Sequence, residues 1–524
     1  MNERDSENIA AGFLSRGCSI CDSDADADIV VVNTCSVRGQ AEQKALGKLG
    51  HVIKRRTARR ADLPVVCAVG CMAQNMGESL LDRLPDLDLI LGTRQMHRVA
   101  ELCVEFCKRR MADSELRGGS AKTESSKEFL TAHRERKAAF GRFESAGPAR
   151  ESGAGQSRQG AHCGAPEAAG ISEISDCAPN AATNGVLNGA SNGLSRGASG
   201  GTPNRALVDI SDDAQSHRLI NMHLPSASRP CAFVSIMQGC QMSCSYCIVP
   251  KTRGVQRSRP EGEILEEIER LAGGGTREVT LLGQVVNAYG REGGGAEGAG
   301  AFVRLLKKIA AIGGIERIRF TSPHPSFFGG ELIDCYSSLK ELCPYVHLPM
   351  QSGSDRILRQ MRRPYDSARF FGIVEKLRAA RADISISTDV IVGYPGESGD
   401  DFNMTRRLFA ECGFDMAYIF KYSPRDGTPS AECADDVPEG VKEERNQILL
   451  SLLQSQSQAF NDALVGSVQS VLVESAAKRG DGVYMGRTPH HRKVFFKGGA
   501  DLPGKFVNVK ILGASVSALS GEIA

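Results

Sequence analysis

At 524 residues the chain is long enough for three or four domains, and with 41% hydrophobic and 24% charged residues its composition is that of an ordinary globular protein. A formal net charge of +2 excludes binding of nucleic acid through overall charge, so any such face must be a local cluster. No apolar run approaches the roughly 18 residues that a membrane span needs, and the charged start MNERDSENIAAGF has no apolar signal core. Seventeen cysteines without such a signal point to reduced, metal-binding thiols in the cytoplasm rather than to disulfides.

Residues 1–111 alternate apolar strands with helices. DIVVVNT (Asp28–Thr34), PVVCAVG (Pro64–Gly70) and the stretch Leu87–Gly92 read as strands buried on both faces, the mark of a parallel α/β sheet. Cys35 and Cys71 stand where two of these strands end, the place where open sheets of this kind hold ligands. Cys18, Cys21, Cys67, Cys103 and Cys107 lack that placement and read as packing thiols. Residues 112–224 are dominated by Gly, Ser, Ala and Asn; such a composition buries too little apolar surface to offset its ordering entropy, and a disordered insert is expected.

From 225 to 437 strands and helices alternate again. Strands are predicted at Cys231–Met237, Glu278–Gly283, Arg317–Thr321, Tyr345–Pro349, Ile384–Val392 and Ala417–Tyr422, with amphipathic helices at Glu261–Ala272, Phe302–Ala311, Ala368–Ala380 and Asp401–Cys412. About six such βα units predict a partial (β/α) barrel, with its chemistry at the strand carboxyl ends. After the first strand come Cys240, Cys244 and Cys247 in a C-x3-C-x2-C pattern. Structural zinc closes its shell with a fourth Cys or His, and none follows at that spacing. Three thiolates with one open position suit an iron–sulfur cluster that must bind something else. LLGQVVNAYG, TSPHP, HLPMQSGS and DVIVGYPGE all fall at strand ends, and a shared cavity explains all four better than four separate turns. Gln284, Asn287, His324, Gln351, Ser352 and Asp389 are the expected cavity-facing side chains. In KTRGVQRSRP, Arg253, Arg257 and Arg259 read either as a solvated loop or as contacts to phosphate or cofactor.

A polar helix over 438–464 leads to residues 465–524, where short strands separated by Gly-rich turns predict a small five-stranded barrel of OB type. Arg487, Arg492 and Lys493 belong to a local excess of basic residues, and aromatics interleave with them as on an RNA-binding platform.

The cysteine loop, with Tyr246 just before its last cysteine, resembles that of the radical S-adenosylmethionine enzymes. NTCSVRGQAEQKALGKL and VGCMAQ further resemble the N-terminal domain of the methylthiotransferases within that superfamily, and TRGVQRSRP with LLGQVVNAYG resembles their tRNA branch. The resemblance covers nearly the whole chain outside 112–224, and the C-terminal segment resembles the TRAM domain. It implies two 4Fe–4S clusters, one on Cys240, Cys244 and Cys247 and an auxiliary one that includes Cys35 and Cys71. It also implies S-adenosylmethionine held near Tyr246 by the cavity strings, and a low-potential electron donor such as flavodoxin or ferredoxin. The implied substrate is tRNA with N6-isopentenyladenosine next to the anticodon, methylthiolated at C2 by a monomer. The rival readings are methylthiolation of threonylcarbamoyladenosine, methylthiolation of a ribosomal-protein aspartate, and an RNA-binding protein without the auxiliary cluster. In the family a third auxiliary cysteine ends a strand that precedes the first helix, so a native start upstream of Met1 is expected.

Overall fold

The structure, a computed structural model, describes residues 1–21, 23–36, 39–58, 62–118, 136–140, 206–213, 216–217, 221, 223, 229–292, 300–478, 480–499 and 501–524. The N-terminal unit is a parallel sheet built from β1 (Cys18–Cys21), β2 (Ile29–Thr34), β3 (Val65–Gly70), β4 (Leu89–Leu91), β5 (Arg136–Phe140) and β6 (Leu207–Asp209), in the order β1-β5-β2-β3-β4-β6. Successive valines of β2 point to opposite faces. Ile29 and Val31 pack with Ile9, Phe13 and Val99 of two helices on one side, while Val30 and Val32 meet Leu49 and Val52 of the helix Gly39–Ala58 on the other. Strands covered on both sides must be apolar throughout, which is why these runs were legible. Cys18, Cys67, Cys103 and Cys107 are buried in that packing, and Cys21 lies against the opposite face.

Two strands correct the reading of 112–224 as an insert without structure. β5 pairs in parallel with both β1 and β2, so the facing edges of those strands are hydrogen-bonded. β6 extends the other edge beside β4, and the helix Val99–Gly118 runs past the expected boundary at 111. A three- to five-residue strand inside a Gly/Ser-rich stretch carries no period of its own; the open edge it joins decides its conformation. The remaining residues of the 112–224 reading lie outside those described.

The central unit holds six parallel strands in two groups of three. β7 (Cys231–Ser235), β10 (Glu278–Leu282) and β11 (Arg317–Phe320) form one; β12 (Tyr345–His347), β13 (Ser385–Val392) and β14 (Met416–Lys421) form the other. A bridge from Ile318 to Leu342 joins them into the expected partial barrel. Between β7 and β10, the short strands β8 (Met237–Gln238) and β9 (Arg257–Ser258) pair antiparallel and clasp the cysteine loop at its neck. Helices Gly330–Ser338 and Asp355–Gln360, shorter than the predicted ones, complete the outer layer.

The helix Glu439–Asp462 leads to the closed barrel of β15 (Val468–Ala476), β16 (Val483–Arg487), β17 (Lys493–Lys497), β18 (Phe506–Ala514) and β19 (Leu519–Ile523). This barrel sits against the amino ends of the central strands. Arg317 donates to the carbonyls of Arg487 and Ser470 at 2.8 and 2.9 Å, Arg319 donates to Pro489 at 2.8 Å, and the Tyr345 ring stacks on His491 at 4.9 Å. The cysteine loop follows β7 at the opposite, carboxyl end. No described helix is long and apolar enough to cross a membrane.

Candidate active site

The cysteine loop is shaped by its neck. Gly239, at φ +76°, turns the chain out of β8 so that Cys240 N–H reaches the Gly254 carbonyl at 3.0 Å and Gly239 N–H reaches Gln284 Oε1 at 2.5 Å. A side chain at Gly239 would lie 2.0 Å from the Val255 carbonyl oxygen, so only glycine fits. Cys240, Cys244 and Cys247 are all buried. Burial pushes the Cys240 and Cys247 thiols up, opposed by N–H groups of Met242 and Gln241 at Cys240, of Val249 at Cys247, and by nearby Arg363. Main-chain donors and a guanidinium gathered on buried sulfurs are the surroundings that an iron–sulfur cluster uses. Among the described residues no three potential ligands close on a single metal ion. Three buried thiols with these donors around them fit a cluster, which holds each thiolate on its own iron.

The predicted cavity residues divide in two. Gln284, Asn287 and Ser352 are buried and brace the backbone around them. Gln284 holds Gly239, Asn287 grips the His324 main chain through both amide atoms at 3.0 and 2.8 Å, and Ser352 bonds Thr405 and the Ser354 N–H, each at 3.2 Å. They stand at strand ends as expected, and the fold engages Gln284 through Oε1, Asn287 through both amide atoms and Ser352 through its hydroxyl. Asp389 meets His347 Nε2 at 3.2 Å. Tyr246 packs among Ile357, Met361, Tyr394 and Tyr422.

His324 and Gln351 keep polar atoms for a ligand. Burial, reinforced by Arg363 and Arg369, holds His324 well below the usual histidine range. Its Nδ1 accepts from Ser326 N–H at 3.2 Å, so the proton sits on Nε2, which has no acceptor among the described residues. Gln351 Oε1 is equally unpartnered. Two residues missed by sequence reasoning join them: Ser322 Oγ, and Gln238 with both amide atoms, all buried without a partner among the described residues. Ser322 and Gln351 both hold positive φ, +55° and +67°, a strain that persists where the surroundings over-determine the backbone, often at ligand sites. Neither the angle nor the missing partners can be read from sequence. These orphaned polar atoms at the strand carboxyl ends fit a polar cofactor such as S-adenosylmethionine.

Cys35 and Cys71 stand at the carboxyl ends of β2 and β3, adjacent in register because Thr34 faces Gly70. Arg253, on the helix Val249–Arg253 just after the cysteine loop, reaches across to the Cys71 sulfur. It also pairs with Asp5 at 2.6 Å and bonds Asn2 at 3.1 Å. The two thiols fit two ligands of an auxiliary cluster; no third stands with them among the described residues, Cys18 being buried between strand and helix.

The expectation that six basic residues face RNA needs correction. Arg253, Arg259 and Arg492 are buried and paired with Asp5, Glu267 (2.7 Å) and Asp415 (2.8 Å). All three guanidinium groups are turned into the protein, away from the solvent-exposed surface where an RNA phosphate would meet them. Arg487 pairs with Glu474 at 3.0 Å and Arg257 with Asp212 at 3.2 Å, both part-exposed. Lys493 opens β17 and is half-buried.

The barrel and its cysteine loop define a radical S-adenosylmethionine enzyme. Residues 234–409 match the Radical SAM superfamily, residues 1–92 the Uncharacterized protein family UPF0004, and residues 462–524 the TRAM domain. Three proteins called tRNA-2-methylthio-N(6)-dimethylallyladenosine synthase are similar along their length. That of Opitutus terrae is 44% identical over 100% of this chain and 95% of its own, that of Akkermansia muciniphila 39% over 98% and 94%, and that of Methylacidiphilum infernorum 37% over 98% and 90%. The chain belongs to the tRNA-2-methylthio-N(6)-dimethylallyladenosine synthase family.

Proposed function

We infer that this chain is a tRNA methylthiotransferase that uses S-adenosylmethionine and 4Fe–4S chemistry to place a methylthio group on C2 of N6-isopentenyladenosine next to the anticodon. The observation that carries the reading is the buried three-cysteine loop clasped at its neck by β8 and β9, together with buried polar atoms of Gln238, Ser322, His324 and Gln351 that have no partner among the described residues. The relatives' shared name favours this substrate over threonylcarbamoyladenosine or a ribosomal-protein aspartate.

C2 of adenine is an unactivated aromatic C–H, on which acid–base catalysis has little purchase. When bound, the cluster and S-adenosylmethionine supply a carbon-centred radical. The chain's own residues do the rest. Cys240, Cys244 and Cys247 would hold the cluster through three thiolates. Neutral His324 donates from Nε2, Gln351 accepts at Oε1, and Gln238 and Ser322 can do either, so together they orient a polar cofactor. Burial of all four excludes water that would compete for those bonds. Cys35 and Cys71 serve as auxiliary-cluster ligands. The target base lies in an unpaired loop and can be splayed into the cavity.

The reading further assigns a low-potential donor of flavodoxin or ferredoxin type, a cytoplasmic location and a monomer. Nucleoside mass spectrometry of tRNA from a deletion strain tests it. Loss of 2-methylthio-N6-isopentenyladenosine, with its unthiolated precursor accumulating, is expected. Unchanged levels of that nucleoside, with a thiolated threonylcarbamoyladenosine missing instead, would overturn it.

A further inference from the structure

Arg363 lies in the turn between the helices Asp355–Gln360 and Ser367–Ala380 and is buried, 6% exposed. Its Nη1 donates to the Cys244 sulfur at 3.2 Å and its Nε to the Tyr365 hydroxyl at 3.0 Å. Tyr365 passes the bond on to the carbonyls of Pro349 and Met350, at 3.0 and 3.2 Å, just beyond β12. The Arg363 main-chain N–H is itself fixed on Leu358 O at 2.8 Å. The guanidinium is therefore anchored through Tyr365 to the end of a barrel strand while it points at a thiol.

Its partners set it apart from the other buried arginines. Arg253, Arg259, Arg319 and Arg492 each meet a carboxylate. Among the described residues no carboxylate pairs with Arg363. A buried guanidinium persists only where negative charge compensates it, and a thiol and a phenol in their neutral forms supply none. The charge must come from what the thiols hold.

We propose that Arg363 is a positioning residue for the reaction: held by Tyr365, it donates to the Cys244 thiolate and supplies the fixed positive charge against which the cluster on Cys240, Cys244 and Cys247 is reduced. The inference rests on the reading of those cysteines as cluster ligands. One electron arrives from a low-potential one-electron donor. No proton is taken up and no bond of the protein changes, so the negative charge of the site grows by one. Arginine stays protonated throughout, and its charge and hydrogen bond favour the reduced form, since both act on cluster potential. A guanidinium serving instead to bind the cofactor's carboxylate would change affinity for S-adenosylmethionine and leave the potential alone.

The test is a redox titration of the anaerobically reconstituted full chain. It follows the electron-paramagnetic signal that responds to added S-adenosylmethionine. Arg363→Gln is expected to make reduction at least tenfold less favourable, a fall of about 59 mV or more for one electron. Arg363→Lys should recover most of that, and Tyr365→Phe, which keeps the charge but frees it, should fall between. Absence of any responsive signal in the unmodified protein overturns the ligand reading itself. A normal signal with an unchanged potential in Arg363→Gln overturns the proposal alone, and so does weaker S-adenosylmethionine binding at unchanged potential. Should Arg363→Gln fail to retain iron, Tyr365→Phe decides, and an unmodified potential there refutes the role.

Discussion

Replacing Gly239 with alanine tests whether the three-cysteine loop depends on one backbone angle. Gly239 sits at φ +76°, where a residue with a side chain pays about 1–2 kcal/mol. The new methyl would also lie 2.0 Å from the Val255 carbonyl oxygen and 2.6 Å from that of Gly254. Relief requires β8 and β9 to part by on the order of 1 Å, since non-bonded atoms settle near 3.5 Å and the loop can share the rest. That movement breaks the bonds from Cys240 N–H to Gly254 and from Gly239 N–H to Gln284, each worth about 1 kcal/mol. Together these amount to roughly 3–4 kcal/mol, a fall of two to three orders of magnitude in the closed-loop population at about 1.4 kcal/mol per tenfold. Iron on this loop and 5′-deoxyadenosine formation should both collapse, while thermal unfolding of the C-terminal barrel stays in place. Gly262→Ala is the control, because nothing lies within 4 Å of its added methyl and it falls inside the helix Glu261–Gly273. A Gly239→Ala protein with full iron content and normal 5′-deoxyadenosine yield would refute the argument.

Other outcomes follow from the same geometry. Alanine at Cys240, Cys244 or Cys247 should abolish 5′-deoxyadenosine, whereas Cys71→Ala should keep it and lose the methylthiolated nucleoside; product chromatography separates the two. Replacing residues 142–204 with a linker should leave iron content intact, provided the linker crosses the four strand spacings of about 4.8 Å between β5 and β6. A fourfold shorter connection returns about 1.2 kcal/mol of closure entropy. Deleting 115–215 instead removes β5 from between β1 and β2, and removes the Asp212 that joins Arg94 to Arg257; soluble yield should fall, and equal yields from the two deletions would contradict the sheet order. Arg492→Ala strips Asp415 of its cation, so urea unfolding should show a loss of about 3–5 kcal/mol. Unchanged stability with weaker tRNA binding would return Arg492 to the RNA face.

Much of the molecule was legible because its signals are local. Runs such as IVVVNT need both faces buried, C-x3-C-x2-C needs a cluster, and six strands with helices between them need a barrel. What escaped depends on partners far along the chain. A basic residue reads alike whether it meets a phosphate or a buried carboxylate, and Arg253 lies 248 residues from Asp5, Arg492 77 from Asp415. Gln284 and Asn287 stand at strand ends as expected, yet whether an amide faces a ligand or braces a turn depends on the neighbouring loop. Gln238 and Ser322 failed to register for the converse reason: their distinction is the lack of a protein partner. β5 and β6 escaped because the edges they pair with are formed by other strands.

The two flanking domains occupy opposite ends of the central barrel, and this divides their work. At the carboxyl end, the helix Val249–Arg253 joins the radical loop to the N-terminal sheet. The five-residue helix, about 7.5 Å long at 1.5 Å per residue, and one arginine side chain bring the chain to Cys71. The C-terminal barrel lies at the other end, and the eight residues of β13 alone span about 26 Å, so RNA contacts on that barrel grip the substrate far from the reacting base. With Arg492 buried, the grip falls to lysines such as Lys478, Lys497 and Lys510, all exposed. Exchanging these three for alanine should weaken tRNA binding and reduce the slope of log affinity against log salt by up to about 2 for single-stranded contacts, at roughly 0.7 per phosphate lost. Filter binding at graded salt reads both quantities. An unaltered slope would place the RNA contacts elsewhere and leave the C-terminal barrel as a cap on the amino ends of the strands.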